Sequence, residues 1–188
     1  MKRFSLAVGL GFAAVVVAQP PEVKPGPEHE ILKSHVGTWT CKIKMGGEES
    51  EGRSTYRMEC GGLWLVSDFK GKFGGQDFQG KGLDTYDAAS KKYKGVWVDS
   101  MSTKPMILEG TYDAASKTLT QTGMGPGPEG KDVEHKMVTK FIDKDNIHFS
   151  MSMGGQEMMT IEYKRSADQP KERKRKKDKD AAAKPPAK

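Results

Sequence analysis

Apolar and polar residues alternate along most of the chain between His29 and Arg165. A period of two places one face of a segment in a core and the other in solvent, which is typical of β-strands. Nearly every boundary between these segments contains Gly, Asp, Asn or Pro, the residues that favour turns. The pattern predicts a short helix in EHEILKSHV, followed by ten strands: WTCKIKM, RSTYRMEC, LWLVSDF, QDFQGKGLDTYD, KYKGVWVDS, PMILEGTYD, KTLTQTG, VEHKMVTKF, NIHFSMSM and EMMTIEYKR.

The stretch TYDAASK occurs twice, at residues 85–91 and 111–117. Each copy begins where a predicted strand ends, so that its Asp can cap a turn and its Lys can start the next extended segment. Consecutive hairpins alternate between the two ends of a sheet. The two copies are therefore predicted to form equivalent loops at the same end.

Ten sequential hairpin strands, each with one apolar face, predict an all-β fold that closes into an up-and-down antiparallel barrel. Closure removes the exposed strand edges that would invite aggregation. A sandwich of two sheets is the alternative, because hairpin connections alone do not forbid it. Glycines inside the strands, at Gly80, Gly82, Gly95 and Gly110, fit the bends of a small barrel and favour a hollow interior beside large aromatic side chains.

The N-terminus has the pattern of a signal peptide over residues 1–18. Lys2 and Arg3 precede an uncharged apolar run that is shorter than the roughly 20 residues of a membrane-spanning helix. Cleavage is expected between Ala18 and Gln19, with an uncleaved membrane anchor as the alternative. Residues 19–28 then form a proline-rich linker. The mature protein is predicted to be secreted or periplasmic.

Residues 29–165 are predicted to form one domain, and residues 166–188 a disordered basic tail. From Lys164 onward the chain has 11 Lys and Arg residues against 4 Asp and Glu residues, so the high pI of about 9.2 comes from the tail. Such a tail can adhere to an anionic envelope polymer or lipid, although a simple solvated extension is the favoured interpretation. It has no aromatic residues to stack on bases, and with export this argues against nucleic acid as a partner.

Several segments resemble a family of secreted bacterial proteins known as domain of unknown function 1579, a calycin-like group. They are HEILKSHVGTW, GGLWLVSDFKG, FQGKGLDTYDAASKKYKGVWVDSMST and the closing IEYKR. The resemblance covers the whole predicted domain, and the block from Trp97 to Met101 is its most specific part. It implies a lipocalin-related β-barrel and carries no established reaction. The exported protein is expected to be a monomer.

Two details of the resemblance concern the ends of the domain. The Gly-x-Trp sequence ending at Trp39 resembles the start of the first calycin strand, where the indole closes one end of the barrel. In that larger group a basic residue of the last strand commonly covers this tryptophan, which implies a cation–π contact from Arg165. The family's usual Gly-Gly-Arg is replaced here by Gly61, Gly62 and Leu63.

The four histidines differ in their predicted environments. His29 and His35 belong to the helical segment, where surface or capping roles are expected. Alternation turns His135 towards the interior and His148 towards solvent. The nitrobindins, a related barrel group, hold haem through one histidine, and His135 is the residue that could imitate it. No matching motif surrounds His135, so a hydrogen-bonded interior histidine is favoured and no cofactor is predicted.

Sulfur-containing side chains allow two further sites. The methionines at positions 137, 151, 153, 158 and 159 could supply thioether ligands to Cu(I), but strand alternation already accounts for them as adaptable core residues, and no metal is predicted. Cys41 and Cys60 would oppose each other if their hairpin centred between residues 50 and 51. A disulfide and two separate thiols were equally compatible with the sequence.

No catalytic motif is present, and no catalytic residue is assigned. Asp99, beside Trp97 at a strand end, either faces the cavity as an acid or base, or, as we favour, accepts backbone hydrogen bonds from the following turn. The function predicted is binding of a small apolar or amphipathic molecule in the barrel. The alternatives are envelope adhesion through the tail, and a hydrolase or isomerase using Asp99 and His135. The predicted lining comprises Tyr56, Trp64, Phe78, Trp97, Asp99, His135, Met137 and Met151.

Overall fold

A computed structural model describes residues 23–127 and 130–167 of the chain. The predicted signal peptide, residues 19–22 of the linker and the tail from residue 168 lie outside this part. Within these two ranges, no helix has the length and apolar character needed to cross a membrane. The described residues nonetheless include nearly all of the predicted domain.

The described residues form one α-helix and ten strands, as the alternation predicts. The helix α1 spans His29–Ser34. The strands are β1 Gly37–Met45, β2 Glu48–Glu59, β3 Trp64–Phe73, β4 Gln76–Asp87, β5 Lys92–Asp99, β6 Ser102–Asp113, β7 Thr118–Pro126, β8 Asp132–Phe141, β9 Asn146–Met153 and β10 Gln156–Arg165. A single 3-10 turn at Cys60–Gly62 separates β2 from β3.

The ten strands form one closed antiparallel barrel. Each strand pairs with its neighbours in the sequence, and β1 closes the sheet against β10 through a register that runs from Trp39 opposite Arg165 to Met45 opposite Met159. Every strand therefore has two partners, and no edge is left unpaired. The prediction of an up-and-down barrel is confirmed, and the sandwich alternative is wrong.

The turns at one end of the barrel, which we call the turn end, are set by glycine pairs. Three hairpins turn at Gly46–Gly47, Gly74–Gly75 and Gly154–Gly155, and both glycines of each pair have positive φ. Two-residue turns with this geometry match the right-handed twist of the flanking strands, but they strain residues that carry a Cβ. These pairs therefore fix where three of the hairpins centre.

The two TYDAASK loops lie together at the opposite end, which we call the helix end. In both copies the aspartate, Asp87 or Asp113, accepts hydrogen bonds from the N–H two residues later, at 3.1 and 3.0 Å, and from the serine hydroxyl three residues later, at 2.6 Å. The closing lysines, Lys91 and Lys117, have nearly equal φ angles of 55° and 54°. The repeat is thus one local shape built twice.

Helix α1 closes the helix end. Leu32 is 1% exposed, packing with Leu65, Tyr93 and Leu119. The hydroxyl of Tyr93 donates to the carbonyl of Glu28 at 3.1 Å. These contacts tie the start of the helix to the barrel wall, so the helix forms the floor of the interior.

Trp39 and Arg165 lock the helix to the first and last strands. The indole N–H of Trp39 donates to the His35 carbonyl at 2.7 Å, and the Arg165 guanidinium lies 4.1 Å from the indole centroid. The same guanidinium donates to the carbonyls of Val36 at 2.6 Å and Ser34 at 3.1 Å. The cation–π contact implied by the resemblance is present.

The expectation of surface roles for His29 and His35 is wrong. Both are 7% exposed, because α1 lies across the barrel end and turns these side chains inward. His29 does have a capping contact, since its Nδ1 accepts from the N–H of Gly26 at 3.1 Å. His35 lies between the rings of Tyr56 and Phe141, and burial lowers its pKa to about 4. His35 is therefore neutral near pH 7.

The disulfide alternative is also wrong, because the first hairpin centres at Gly46–Gly47. This register places Cys41 opposite Gly52. Cys60 lies beyond β2 in the 3-10 turn, and both thiols are free. Cys41 is buried, and burial raises its pKa to about 12, whereas Cys60 is exposed.

We therefore expect one of the two thiols to react in the folded protein. Iodoacetamide should modify Cys60 and spare Cys41, because the thiolate is the reactive form and burial suppresses it at Cys41. Peptide mass spectrometry after labelling at pH 8 gives the measurement, and labelling in urea should modify both. Equal labelling of the two cysteines in the native protein would contradict the placement of Cys41.

Candidate functional site

The barrel encloses a cavity of about 480 Å³. Leu32 and His35 border it at the helix end, where both are buried. Met101 and Lys104 border it at the turn end, where both are exposed. Most of the other lining side chains are aromatic, aliphatic or methionine residues. The cavity is therefore an apolar hollow with a floor at the helix and a mouth at the turn end.

Seven of the eight residues predicted to line the interior border this cavity. They are Tyr56, Phe78, Trp97, Asp99, His135, Met137 and Met151. Trp64 does not border it, and this placement was wrong. Strand β3 begins at Trp64 and turns Leu65, Ser67 and Phe69 inward, so its pleat leaves Trp64 on the outer face. That the seven residues contact a ligand stays a prediction.

Trp97 and Asp99 form a fixed pair near the mouth. The indole N–H donates to one carboxylate oxygen at 2.9 Å, and the backbone N–H of Met101 donates to the other at 2.9 Å. The indole covers Gly80 and Gly82, because a Cβ at Gly80 would overlap the ring. Asp99 thus has the turn-capping role favoured from the sequence, and it also orients the indole.

His135 points into the barrel and is 4% exposed. Its Nε2 lies 3.0 Å from the Pro126 carbonyl, which can only accept, so Nε2 carries the proton. The buried Nδ1 has no hydrogen-bond partner within the described part of the chain. His148, by contrast, lies on the outer face with its Nδ1 2.6 Å from a Glu162 carboxylate oxygen.

Asp99 and His135 border the same cavity, as the hydrolase or isomerase alternative requires. Each is held by its own partners, however, and no hydrogen bond joins the two in residues 23–127 and 130–167. An acid–base pair acts through a hydrogen-bonded proton path. The geometry therefore gives this enzymatic alternative no support.

Methionines form a row on the inner wall of four adjacent strands. Met137 lies opposite Met151, Met151 opposite Met159, and Met159 opposite Met45. All four border the cavity. Their flexible thioethers suit a wall that adapts to varied apolar shapes. The described residues contain no group of three or more His, Cys, Asp or Glu side chains placed to hold a metal.

The residue that sequence reasoning missed is Asp84, a half-buried carboxylate that borders the cavity in the half of β4 nearer the helix end. Its carboxylate accepts one long hydrogen bond, from the Gln121 side-chain amide at 3.4 Å. Burial raises the pKa of Asp84 to about 6. Gly95 makes room for the carboxylate, because a Cβ there would lie 2.7 Å from Oδ1. Asp84 shares its face of β4 with Phe78, which was predicted to line the interior, so an inward carboxylate among glycines was the available signal.

The other polar groups near the floor are neutral. Burial raises the pKa of Tyr56 to about 12, with a further contribution from the nearby Asp84 charge. Burial also raises the pKa of Tyr163, whose side chain hydrogen-bonds with Tyr56. Together with neutral His35, these side chains form a polar but uncharged surface. Asp84 is the group there that ionises near neutral pH.

Comparison with known proteins places the chain in a family. The model of a family described as a protein of unknown function, DUF1579, matches residues 24–165. The chain belongs to the DUF1579 family. No curated protein matches the sequence.

Two solved structures are similar to this chain. The crystal structure of Rv2717c from M. tuberculosis is similar with a TM-score of 0.56 at 16% sequence identity, over 75% of this chain and 98% of that one. A redesigned β-barrel is similar over 72% of this chain and 95% of its own, with 14% identity and a TM-score of 0.40. At this identity the first likeness supports the fold alone.

Two of the segments quoted for the DUF1579 resemblance lie at the two ends of the barrel. The block from Trp97 to Met101 contains the indole, the carboxylate and the backbone N–H of the pair at the mouth. Trp39 lies at the opposite end, beneath the guanidinium of the last strand. In this DUF1579 protein the most specific part of the resemblance thus coincides with the mouth of the cavity.

Proposed function

We propose that this DUF1579 protein binds a small apolar or amphipathic molecule inside its barrel. The observation that carries the proposal is the cavity of about 480 Å³, which has a closed floor, a solvent-facing mouth and a mostly apolar lining. Ligand pockets for small molecules have volumes of roughly 300 to 1,000 Å³ and are mainly apolar with a few polar groups. The free protein thus exposes apolar surface that a ligand would cover.

The wall has a rigid side and an adaptable side, which supports this proposal. On β4 and β5 the indole of Trp97 lies against Gly80 and is held by Asp99. On β8, β9, β10 and β1 the facing wall is the methionine row. A fixed aromatic surface opposite flexible thioethers can hold apolar ligands of varied outline without rearranging the barrel.

The proposal is tested by filling the cavity. Replacing Met151 with tryptophan adds a bulky ring to the interior and should weaken binding of the neutral apolar dye N-phenyl-1-naphthylamine by more than about tenfold, since each tenfold change corresponds to roughly 1.4 kcal/mol. The matched control is Ser150→Trp, on the same strand but facing outward, and it should bind like the unchanged protein. Dye fluorescence titration gives both affinities.

Two outcomes would count against interior binding. One is a dye that does not bind the unchanged protein, and the other is equal weakening by Met151→Trp and Ser150→Trp. Circular dichroism should first establish that both variants keep their strands. Native mass spectrometry of protein purified from its own host then shows whether a small molecule is carried along, and the Met151→Trp variant should carry less of it.

A further inference from the structure

Among the residues that the structure describes, the Asp84 carboxylate has no cationic partner. In the described part of the chain its hydrogen bonding consists of the single 3.4 Å contact with Gln121, and no Lys, Arg or His side chain forms an ion pair with it. The nearest lysine on the same strand, Lys81, lies on the outer face, where it pairs with Asp68. Asp84 is thus an anionic group with no cation beside it, while the other charged side chains that border the cavity, Asp99 and Lys104, lie at the mouth.

Burying such a group without a counter-ion is unfavourable. An ionised carboxylate loses its hydration in an apolar site, and this loss is compensated only when the carboxylate is paired and hydrogen-bonded. The amide of Gln121 supplies one weak hydrogen bond, and Oδ2 receives none from the described residues. The carboxylate nevertheless keeps its place, with room left by Gly82 and Gly95. The unpaired carboxylate destabilises the empty barrel, and its presence is explained if a bound molecule supplies the missing hydrogen-bond and charge partner.

The chemistry around Asp84 selects the kind of group that fits. An ionised carboxylate only accepts hydrogen bonds, so its partner must donate. The groups that face it are the Tyr56 phenol from β2, the Ser67 hydroxyl from β3 and the Gln121 amide from β7, none of which carries charge near pH 7. A cationic donor would gain the full charge interaction, whereas an anionic group would be repelled.

We propose that Asp84 is the anchor for the cationic head group of an amphipathic amine. The ammonium lies at Asp84 near the floor, and the apolar part extends past Trp97 and the methionine row to the mouth. This inference rests on the proposed interior binding and adds the class of ligand and its orientation. Asp84 lies in the half of β4 nearer the helix end, whereas Phe78 lies near the mouth, and both border the cavity.

Three compounds with the same ten-carbon chain separate the head group from the chain. Decylamine, decanol and decanoate are titrated into the protein by calorimetry at pH 7.5. Decylamine should bind about tenfold or more tightly than decanol, because a buried charge pair adds to the same chain contacts. Decanoate should bind most weakly, since its carboxylate meets Asp84 or remains outside the mouth.

Two aspartates on one strand provide the variant and its control. Asp84→Asn keeps the shape of the side chain and removes its charge. The affinity for decylamine should therefore fall about tenfold, to that for decanol, while the affinity for decanol should change by less than about twofold. Asp77→Asn removes an outer carboxylate of β4, whose side chain is 86% exposed, and should leave all three affinities unchanged. Thermal unfolding checks that both variants fold.

The pH dependence of amine binding gives a second readout, and Asp84→Asn should abolish it, which separates Asp84 from His135 on the same cavity wall. An alkylamine stays protonated from pH 5 to 8, as lysine does with its pKa of about 10.4. Asp84 loses its charge as the pH falls through about 6, so decylamine should bind more weakly at pH 5 than at pH 7.5. The affinity for decanoate should change in the opposite direction, because protonation of Asp84 removes the repulsion between the two carboxylates. Tyr56 and His35 keep their neutral forms over this range.

The outcomes distinguish this inference from the function on which it rests. If none of the three compounds binds and the dye also fails, interior binding is overturned and the inference with it. If all three bind alike, or if decylamine keeps its advantage in Asp84→Asn, the barrel binds apolar chains and the anchor role of Asp84 is overturned. The proposal is supported if decylamine loses its tighter binding over decanol in Asp84→Asn and keeps it in Asp77→Asn.

Discussion

Replacing Gly110 with alanine is expected to prevent stable folding of the barrel. Gly110 lies opposite Gln121 where β6 pairs with β7. A Cβ at Gly110 would lie 2.6 Å from the Cα of Gln121 and would overlap the carbonyl oxygen of Thr120. Both atoms belong to the backbone of the neighbouring strand, so no side chain can move aside. The strands would have to separate, and the hydrogen bonds of a closed barrel would be lost with them.

The expected loss in the free energy of unfolding exceeds about 4 kcal/mol, which is a large part of the 5 to 15 kcal/mol that stabilises a typical domain. Urea unfolding followed by circular dichroism gives the measurement. Gly71→Ala is the matched control, since a Cβ there would meet the Phe69 ring at 3.1 Å and backbone no closer than 3.4 Å. Its loss should be about 1 kcal/mol, and equal losses for the two variants would contradict the close approach of β6 and β7.

The sequence predicted the barrel well, because the information that defines it is local. Alternation gives the number of strands and the inward face of each, and turn residues give the sequential hairpins. With ten such strands, pairing of the first with the last follows from the need to remove edges. The two copies of TYDAASK were predicted at one end for the same reason, and the structure places both at the helix end.

Register was harder to predict, because it depends on which residues of a glycine-rich stretch form the turn. The stretch GGEESEG allows a first hairpin centred at residues 46–47 or at 50–51, and the two choices give Cys41 different partners. The structure turns at Gly46 and Gly47, where both φ angles are positive. A shift of the turn by a few residues thus decides between a disulfide and two separate thiols.

The site residues also differ in whether local sequence or tertiary structure decides their placement. Residues whose role follows from strand parity, such as Phe78 and Met137, were placed at the cavity. Trp64 was assigned to the wrong face, because the 3-10 turn directly before β3 interrupts the alternation of inward and outward side chains. The meaning of Asp84 depends on Gln121, which is 37 residues away, and on the absence of a nearby cation. His35 was misplaced because the docking of α1 across the barrel is a tertiary event.

Replacing Trp39 with alanine should cost about 3 to 5 kcal/mol of unfolding free energy, the range found when large buried aromatics are truncated. Trp39 is 0% exposed, and its indole N–H holds the carbonyl of His35 at the end of α1. The substitution also removes the ring beneath Arg165. The hydrogen bonds from Arg165 to the helix carbonyls would then lack the surface that orients the guanidinium.

Trp64→Ala is the matched control, because Trp64 is the same residue type on the outer face and does not border the cavity. In urea unfolding, Trp64→Ala should reduce the free energy of unfolding by less than half as much as Trp39→Ala does. Because Trp39 holds α1 over the floor, Trp39→Ala should also weaken dye binding in the fraction that remains folded, whereas Trp64→Ala should not. Equal losses of stability would show that the helix end is closed by α1 contacts other than the indole, such as the burial of Leu32.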